Sequence, residues 1–175
     1  MGKSVRKECV TVEITRQGQV ETLVGNPPEV GQDLPHFKLF NAEDQKVKTR
    51  ELIGQPLLIS VVPDINTRVC SIQTKKFNKT VDQYPNVRFI TVSTNTIKEQ
   101  AAWCAAEDVE KMEMMSDSEE SFGYEMKLLS PNAGVLARSI FLVNAQGQIV
   151  YRQIVEEQTD EPNYLAAINA LKKLI

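Results

Sequence analysis

The sequence predicts an α/β domain in which helices cover both faces of one mixed β-sheet. The continuous apolar run from Leu57 to Val62 indicates a strand that is buried on both faces, and Val87 to Thr94 is predicted to be another buried strand. A helix face between them is indicated by residues that recur every three or four positions: Val69, Gln73, Phe77, Val81 and Tyr84. The remaining elements fit the same architecture.

The N-terminal part of the chain predicts short β-structure. Residues 9–24, CVTVEITRQGQVETLV, alternate apolar and polar positions around RQGQ, which is typical of a β-hairpin. A turn-rich loop follows from Gly25 to Pro35. The segment HFKLFNAEDQKVKT then predicts two short strands around NAEDQ.

The C-terminal part predicts helices and a second hairpin. Thr96 and Glu99 have the spacing of a capping box, which opens a helix through QAAWCAAEDV, and another helix is predicted around SEESFGYEM. LARSIFLVN and QIVYRQIV predict two strands joined by AQG. The last helix, NYLAAINALKKLI, should place Leu165, Ile168 and Leu171 on one side. With no linker or repeat, residues 1–175 are expected to form a single domain.

Composition excludes several classes of function. The net charge is −3 and the pI is near 5.3, so neither nucleic-acid nor membrane binding is expected. The apolar runs are too short to span a bilayer, and the N-terminus lacks the pattern of a secretory signal. Three cysteines cannot all pair within one chain, which favours a reducing compartment, the cytoplasm. With His36 as the only histidine and no glycine-rich phosphate loop, no metal or cofactor is predicted.

Cys70 stands close to the point where an apolar strand stops at Pro63 and a helix begins. A thiol attacks as thiolate, and the unpartnered N–H groups and dipole of a helix N-terminus favour negative charge there. Thr67 is close enough for its hydroxyl to share a small site with the sulfur, and Pro63 can shield one side. These features predict a reactive cysteine. The alternative is a small buried hydrophobic residue, with Thr67 serving only as an N-cap.

The pattern Pro63-x-x-x-Thr67-x-x-Cys70 matches the peroxidatic signature of the peroxiredoxins. The longer string PDINTRVCSIQTKKFN resembles the thiol peroxidase branch of that family, the atypical two-cysteine peroxiredoxins. WCAAED, LARSIFLVNAQGQIVYRQIV and TDEPNYLAAINALK resemble further segments of the same branch. The resemblance extends from about Val30 to the end of the chain and implies a thioredoxin-like fold.

The resemblance also implies roles for individual residues. Cys70 would be the peroxidatic nucleophile, Thr67 would hydrogen-bond the peroxide and the thiolate, and Pro63 would shield the sulfur. Arg138 would keep the thiolate ionised and polarise the peroxide, and Cys104 would be the resolving cysteine. From the residues alone, Arg138 could instead form a surface ion pair on an edge strand. Cys104 could likewise be a core cysteine packed against the sheet.

The implied activity is that of a thiol-dependent peroxidase. It would reduce hydrogen peroxide and alkyl hydroperoxides through a thiolate, a sulfenic acid and an intramolecular disulfide, with thioredoxin as reductant and a homodimer as the assembly. Because a disulfide needs Cα atoms within about 7 Å, oxidation is expected to unwind a helix around Cys70, Cys104 or both. The alternative is a redox sensor that uses the same two cysteines. A thioredoxin-type oxidoreductase is set aside, because Cys70 is not part of a Cys-x-x-Cys motif.

Three positions depart from the residues usual in the family. Asp64 and Arg68 replace small residues near Cys70, and Asp108 stands where a glycine is common, so the helix before it is expected to end differently. Cys9 has no role implied by the resemblance.

Overall fold

Eleven strands run through residues 12–175, the part of the chain that the computed structural model describes. In chain order they are β1 Glu13–Arg16, β2 Gln19–Thr22, β3 Lys38–Phe40, β4 Lys46–Lys48, β5 Leu57–Val61, β6 Arg88–Ser93, β7 Glu113–Ser116, β8 Leu129–Ser130, β9 Val135–Leu136, β10 Ser139–Val143 and β11 Ile149–Ile154. The α-helices are α1 Thr49–Leu52, α2 Arg68–Thr80, α3 Ile97–Glu107, α4 Ser121–Glu125 and α5 Tyr164–Lys172, and a 3₁₀ helix, Val81–Gln83, continues α2. None of these helices has both the length and the apolar character needed to cross a membrane. Cys9 and the first residues of the predicted 9–24 hairpin lie outside the described residues.

Seven strands form one mixed sheet in the order β11-β10-β5-β6-β7-β3-β4, which confirms the predicted architecture. The three central strands β5, β6 and β7 are parallel, and the outer strands pair antiparallel. Helix α2 connects β5 to β6, and α3 connects β6 to β7. The carboxyl ends of the parallel strands and the N-termini of both helices therefore meet at one edge of the sheet, the place where ligands bind in open α/β folds.

Apolar side chains cover both faces of the sheet, as the continuous apolar run of β5 predicts. Every residue of β5 is buried. Ile59 and Val61 pack on the face covered by the β1–β2 hairpin, α1 and α4. Leu58 and Val62 pack on the opposite face, which is covered by α2, α3 and α5. The second cluster includes Cys70, so the start of α2 is anchored in the core rather than lying loosely on the surface.

The capping box predicted for α3 is confirmed. Thr96 occupies the N-cap position and its Oγ1 accepts a hydrogen bond from Glu99 N, while Thr96 N donates to Glu99 Oε1. At the other end Asp108 adopts a left-handed conformation with φ of 54°. That conformation suits glycine better than aspartate, so Asp108 is somewhat strained. The helix nevertheless ends with the left-handed residue that a glycine would supply, and the expectation that it ends differently is wrong.

The terminal helix is confirmed, but the face predicted for it is wrong at one position. Leu171 is fully buried and Ile168 is half-buried, whereas Leu165 is 70% exposed. Ala167, four residues before Leu171, takes the buried position instead, because residues four apart lie on the same face of a helix.

Glu157 attaches the turn of the N-terminal hairpin to the segment that follows β11. Its carboxylate accepts hydrogen bonds from Thr15 Oγ1 at 3.1 Å, Gln17 N at 3.3 Å and Gly18 N at 2.8 Å. It also accepts from the hydroxyl and the N–H of Thr159. These bonds, those from Thr159 first, lower the pKa of Glu157 to about 2. The ionised side chain is therefore the form that holds the hairpin in place.

A Glu157→Gln variant is expected to loosen the hairpin turn at neutral pH, because an amide cannot accept all of these bonds. Hydrogen exchange at the Gly18 amide should become several-fold faster than in the wild type. The lowered pKa stabilises the wild type fully above the ordinary value of 4.5, and this stabilisation is lost as the pH falls towards 2. The difference in unfolding free energy between the two proteins should therefore shrink over that range. A difference that stays constant with pH would contradict this role.

Candidate active site

The turn between β5 and α2 shapes the start of the helix that carries Cys70. The carbonyl of Asp64 accepts hydrogen bonds from both the N–H and the hydroxyl of Thr67, at 3.0 and 2.7 Å. Thr67 is at the N-cap position, but its side chain makes no capping bond. The i to i−4 bonds of α2 begin with Ser71 N donating to Thr67 O at 3.0 Å. The N–H groups of Val69 and Cys70 thus belong to the open first turn of the helix.

A cleft of about 430 Å³ lies beside this first turn. The structure brings three of the predicted site residues together in its lining: Pro63, Thr67 and Arg138. Val69 and Val135 add apolar surface to the same lining. Cys70 itself has no exposed surface and follows Val69 in the same helical turn.

Arg138 lines this cleft and is buried, with only 3% of its surface exposed. It precedes β10, which lies between β5 and β11, so the alternative of a surface ion pair on an edge strand is wrong. Its Nε donates to the carbonyl of Gln158 at 2.8 Å, and one Nη donates to Gln73 Oε1 at 3.0 Å. Both acceptors are uncharged amide oxygens. These two bonds hold the guanidinium in position, and they do not pair its positive charge with a carboxylate.

Gln73 and Gln158 both hold Arg138 through hydrogen bonds and are themselves tied to other elements. Gln73 also donates to Ser60 Oγ at 2.8 Å, which links the guanidinium to the central strand β5. Gln158 accepts from the N–H of Arg138 and donates to the carbonyl of Val155 at 2.7 Å. A glutamine on an otherwise apolar helix face is a sequence signal for Gln73. Nothing in the sequence predicts a role for Gln158.

Cys104 lies on α3 and does not share the cleft of Arg138. It is half-buried and borders a separate cleft with Val109 and the methionines of β7. The buried face of α3 is formed by Gln100 and Trp103, so Cys104 sits at the edge of that face. Cys104 and Cys70 are both free thiols, and burial raises the pKa of the Cys104 thiol. Cys70 is a buried member of the apolar cluster on this face of the sheet, and Cys104 packs against the same cluster without forming a disulfide with Cys70.

Comparisons with known proteins agree with this geometry. Residues 30–152 match the AhpC/TSA family. The chain is 41% identical to a thiol peroxidase of Listeria innocua over 162 residues, which are 92% of this chain and 98% of that protein. It is 35% identical to a thiol peroxidase of Bacillus subtilis over 164 residues, which are 93% of this chain and 98% of that protein.

Solved structures show the same fold. A peroxiredoxin-like protein from Aquifex aeolicus superposes with a TM-score of 0.87 at 28% identity, over 93% of this chain and 97% of that one. A thiol peroxidase from Chromobacterium violaceum superposes with a TM-score of 0.83 at 16% identity, over 92% and 96%. A match over most of the length, with the thioredoxin-like fold of these neighbours and the clustered Pro63, Thr67 and Arg138, leads to one conclusion: the chain belongs to the AhpC/TSA family of peroxiredoxins.

Proposed function

We propose that this chain is a thiol-dependent peroxidase that reduces hydrogen peroxide and alkyl hydroperoxides, with Cys70 as its nucleophile. The observation that carries the proposal is the buried Arg138 guanidinium in the cleft beside the first turn of α2. Attack on an O–O bond builds negative charge on the leaving oxygen. A fixed cation and the N–H groups of a helix N-terminus stabilise that charge as it develops. The same groups favour the thiolate over the thiol.

In the first step the Cys70 thiolate attacks the terminal peroxide oxygen and the O–O bond breaks. Cys70 becomes a sulfenic acid, and the leaving oxygen takes a proton and departs as water or an alcohol. The hydroxyl proton of Thr67 is engaged by the Asp64 carbonyl, so the hydroxyl oxygen is left as an acceptor for the O–H of the peroxide. Pro63 and the apolar lining at Val69 would keep bulk water from the reacting atoms and accommodate an alkyl chain.

In the second step the Cys104 thiol attacks the Cys70 sulfur, a disulfide forms and water leaves. A dithiol reductant then returns both cysteines to thiols by exchange, and thioredoxin is the reductant that we propose. Assembly as a homodimer and a location in the cytoplasm stay predictions. The alternative is a redox sensor that uses the same cysteine pair to change shape and signal to a partner protein, and it would not turn over many equivalents of peroxide.

The proposal is tested by treating the reduced protein with one equivalent of hydrogen peroxide and mapping the disulfide by mass spectrometry. A Cys70–Cys104 cross-link is expected, and turnover of many equivalents should follow when thioredoxin, its reductase and NADPH are added. A cross-link that excludes Cys70 would refute the proposal. Consumption of only one equivalent of peroxide per protein, with thioredoxin present, would favour the redox-sensor alternative.

A further inference from the structure

Asn95 occupies a position between the two cysteine-bearing helices. It lies two residues after the end of β6, precedes the N-cap residue of α3, and has only 9% of its surface exposed. Its carbonyl accepts a hydrogen bond from Ser116 Oγ at 2.6 Å, which fixes its backbone to the end of β7. Its side-chain amide contacts the turn that precedes α2.

The amide of Asn95 binds this turn through two hydrogen bonds. Oδ1 accepts from the N–H of Ile65 at 2.8 Å, and Nδ2 donates to Asp64 Oδ1 at 3.0 Å. Ile65 is fully buried in the same core cluster as Cys70. Asp64 is the residue whose carbonyl holds Thr67. Asn95 therefore fixes the turn that sets both Thr67 and the start of α2.

The same amide also binds the start of α3. Nδ2 donates a second bond to Glu99 Oε2 at 3.1 Å, while Glu99 Oε1 accepts from the hydroxyl and N–H of Thr96 in the capping box. An N–H can only donate and two carboxylates can only accept, so these partners define the orientation of the amide. One side chain thus holds the Cys70 turn and the N-terminus of the Cys104 helix at the same time.

We propose that Asn95 is a positioning residue that locks the turn before Cys70 to the N-terminus of the Cys104 helix, so that its release governs how fast the sulfenic acid is resolved. The inference rests on the proposed function. The two cysteines are free thiols on separate helices, Cys70 fully buried and Cys104 at the edge of α3. A disulfide needs their Cα atoms within about 7 Å, so at least one segment is expected to open before they react. Opening breaks the bonds that Asn95 makes.

A slow release has a chemical consequence. While the closed state persists, the Cys70 sulfenic acid can meet a second hydroperoxide, which oxidises it to a sulfinic acid and is itself reduced to an alcohol or water. When the segments open, Cys104 attacks instead and the disulfide forms. Asn95 therefore sets the division between a recyclable disulfide and an irreversibly oxidised enzyme.

The test compares full-length wild type with Asn95→Ala, which removes all three side-chain bonds, and with Asp64→Ala, which removes one of them. Trp103, the only tryptophan, adjoins Cys104 and reports disulfide formation by fluorescence after a rapid peroxide pulse. Disulfide formation is expected to be about threefold to tenfold faster in Asn95→Ala, as the loss of one or two net hydrogen bonds predicts. The yield of sulfinic acid in excess peroxide, measured by mass spectrometry, should fall in proportion. Asp64→Ala should change both in the same direction and by less.

Asn144→Ala is the matched control, because Asn144 Oδ1 accepts from two N–H groups in the turn between β10 and β11. It should behave as wild type. Disulfide formation at the wild-type rate or slower in Asn95→Ala would overturn the inference, and if that variant does not fold, Asp64→Ala decides by the same criterion. Failure of the wild type to form a Cys70–Cys104 disulfide would instead refute the proposed function itself.

Discussion

Replacing Cys70 with serine is expected to lower peroxide turnover by at least about a thousandfold. Serine has nearly the same size and shape, so the packing of the first turn of α2 should persist. Its hydroxyl, however, is not ionised at neutral pH and is a far weaker nucleophile than a thiolate. The measurement is the second-order rate of hydroperoxide consumption, with circular dichroism to show that the variant is folded. Turnover within tenfold of wild type would rule out Cys70 as the attacking group.

The other two cysteines provide matched controls for that variant. Cys104→Ser should still react with one equivalent of peroxide, because the cleft of Arg138 does not include Cys104. It should then accumulate a Cys70 sulfenic acid, which a sulfenic-acid-specific probe detects, and should fail to recycle with thioredoxin. Cys9→Ser is expected to match wild type in both steps. A Cys104→Ser protein that recycles as fast as wild type would assign the resolving role to another thiol.

Much of the fold could be predicted because its signals are local. The buried strand β5 appears as a continuous apolar run, β6 as a segment rich in β-branched and aromatic residues, and the start of α3 as a capping box within four residues. The turn before Cys70 is equally local, since Pro63 and Thr67 lie within eight residues of sequence that also include the cysteine. In such segments the neighbours that decide the structure are also neighbours in the chain.

The support of the site could not be predicted in the same way. Arg138 is held by Gln73 and Gln158, which are 65 and 20 positions away in the sequence. Asn95 reaches Asp64 across 31 positions. These pairs depend on which strands are adjacent in the sheet, and no short pattern encodes that. The error at Leu165 has a related cause, because the side of a helix that is buried depends on how the helix docks as well as on its apolar residues.

Arg138→Lys is expected to slow the reaction of the reduced protein with hydroperoxide by about a hundredfold or more. Lysine keeps a positive charge, but one ammonium group cannot bond Gln73 and Gln158 as the planar guanidinium does and also face the cleft. The leaving oxygen would lose a fixed donor in the transition state. Stopped-flow kinetics of the reduced protein with hydroperoxide give the rate, and circular dichroism shows that the variant is folded.

Arg152→Lys separates this effect from a general loss of stability. Arg152, on β11, also donates to two carbonyls, those of Pro27 and Pro28, both at 3.0 Å, but it does not line the cleft of Arg138. Its replacement should leave the rate within about twofold of wild type, the size of effect expected away from the reacting atoms. If both arginine variants lost activity in parallel with their unfolding free energy, Arg138 would be a structural residue. A loss confined to Arg138→Lys, with the protein still folded, would place its guanidinium in the reaction.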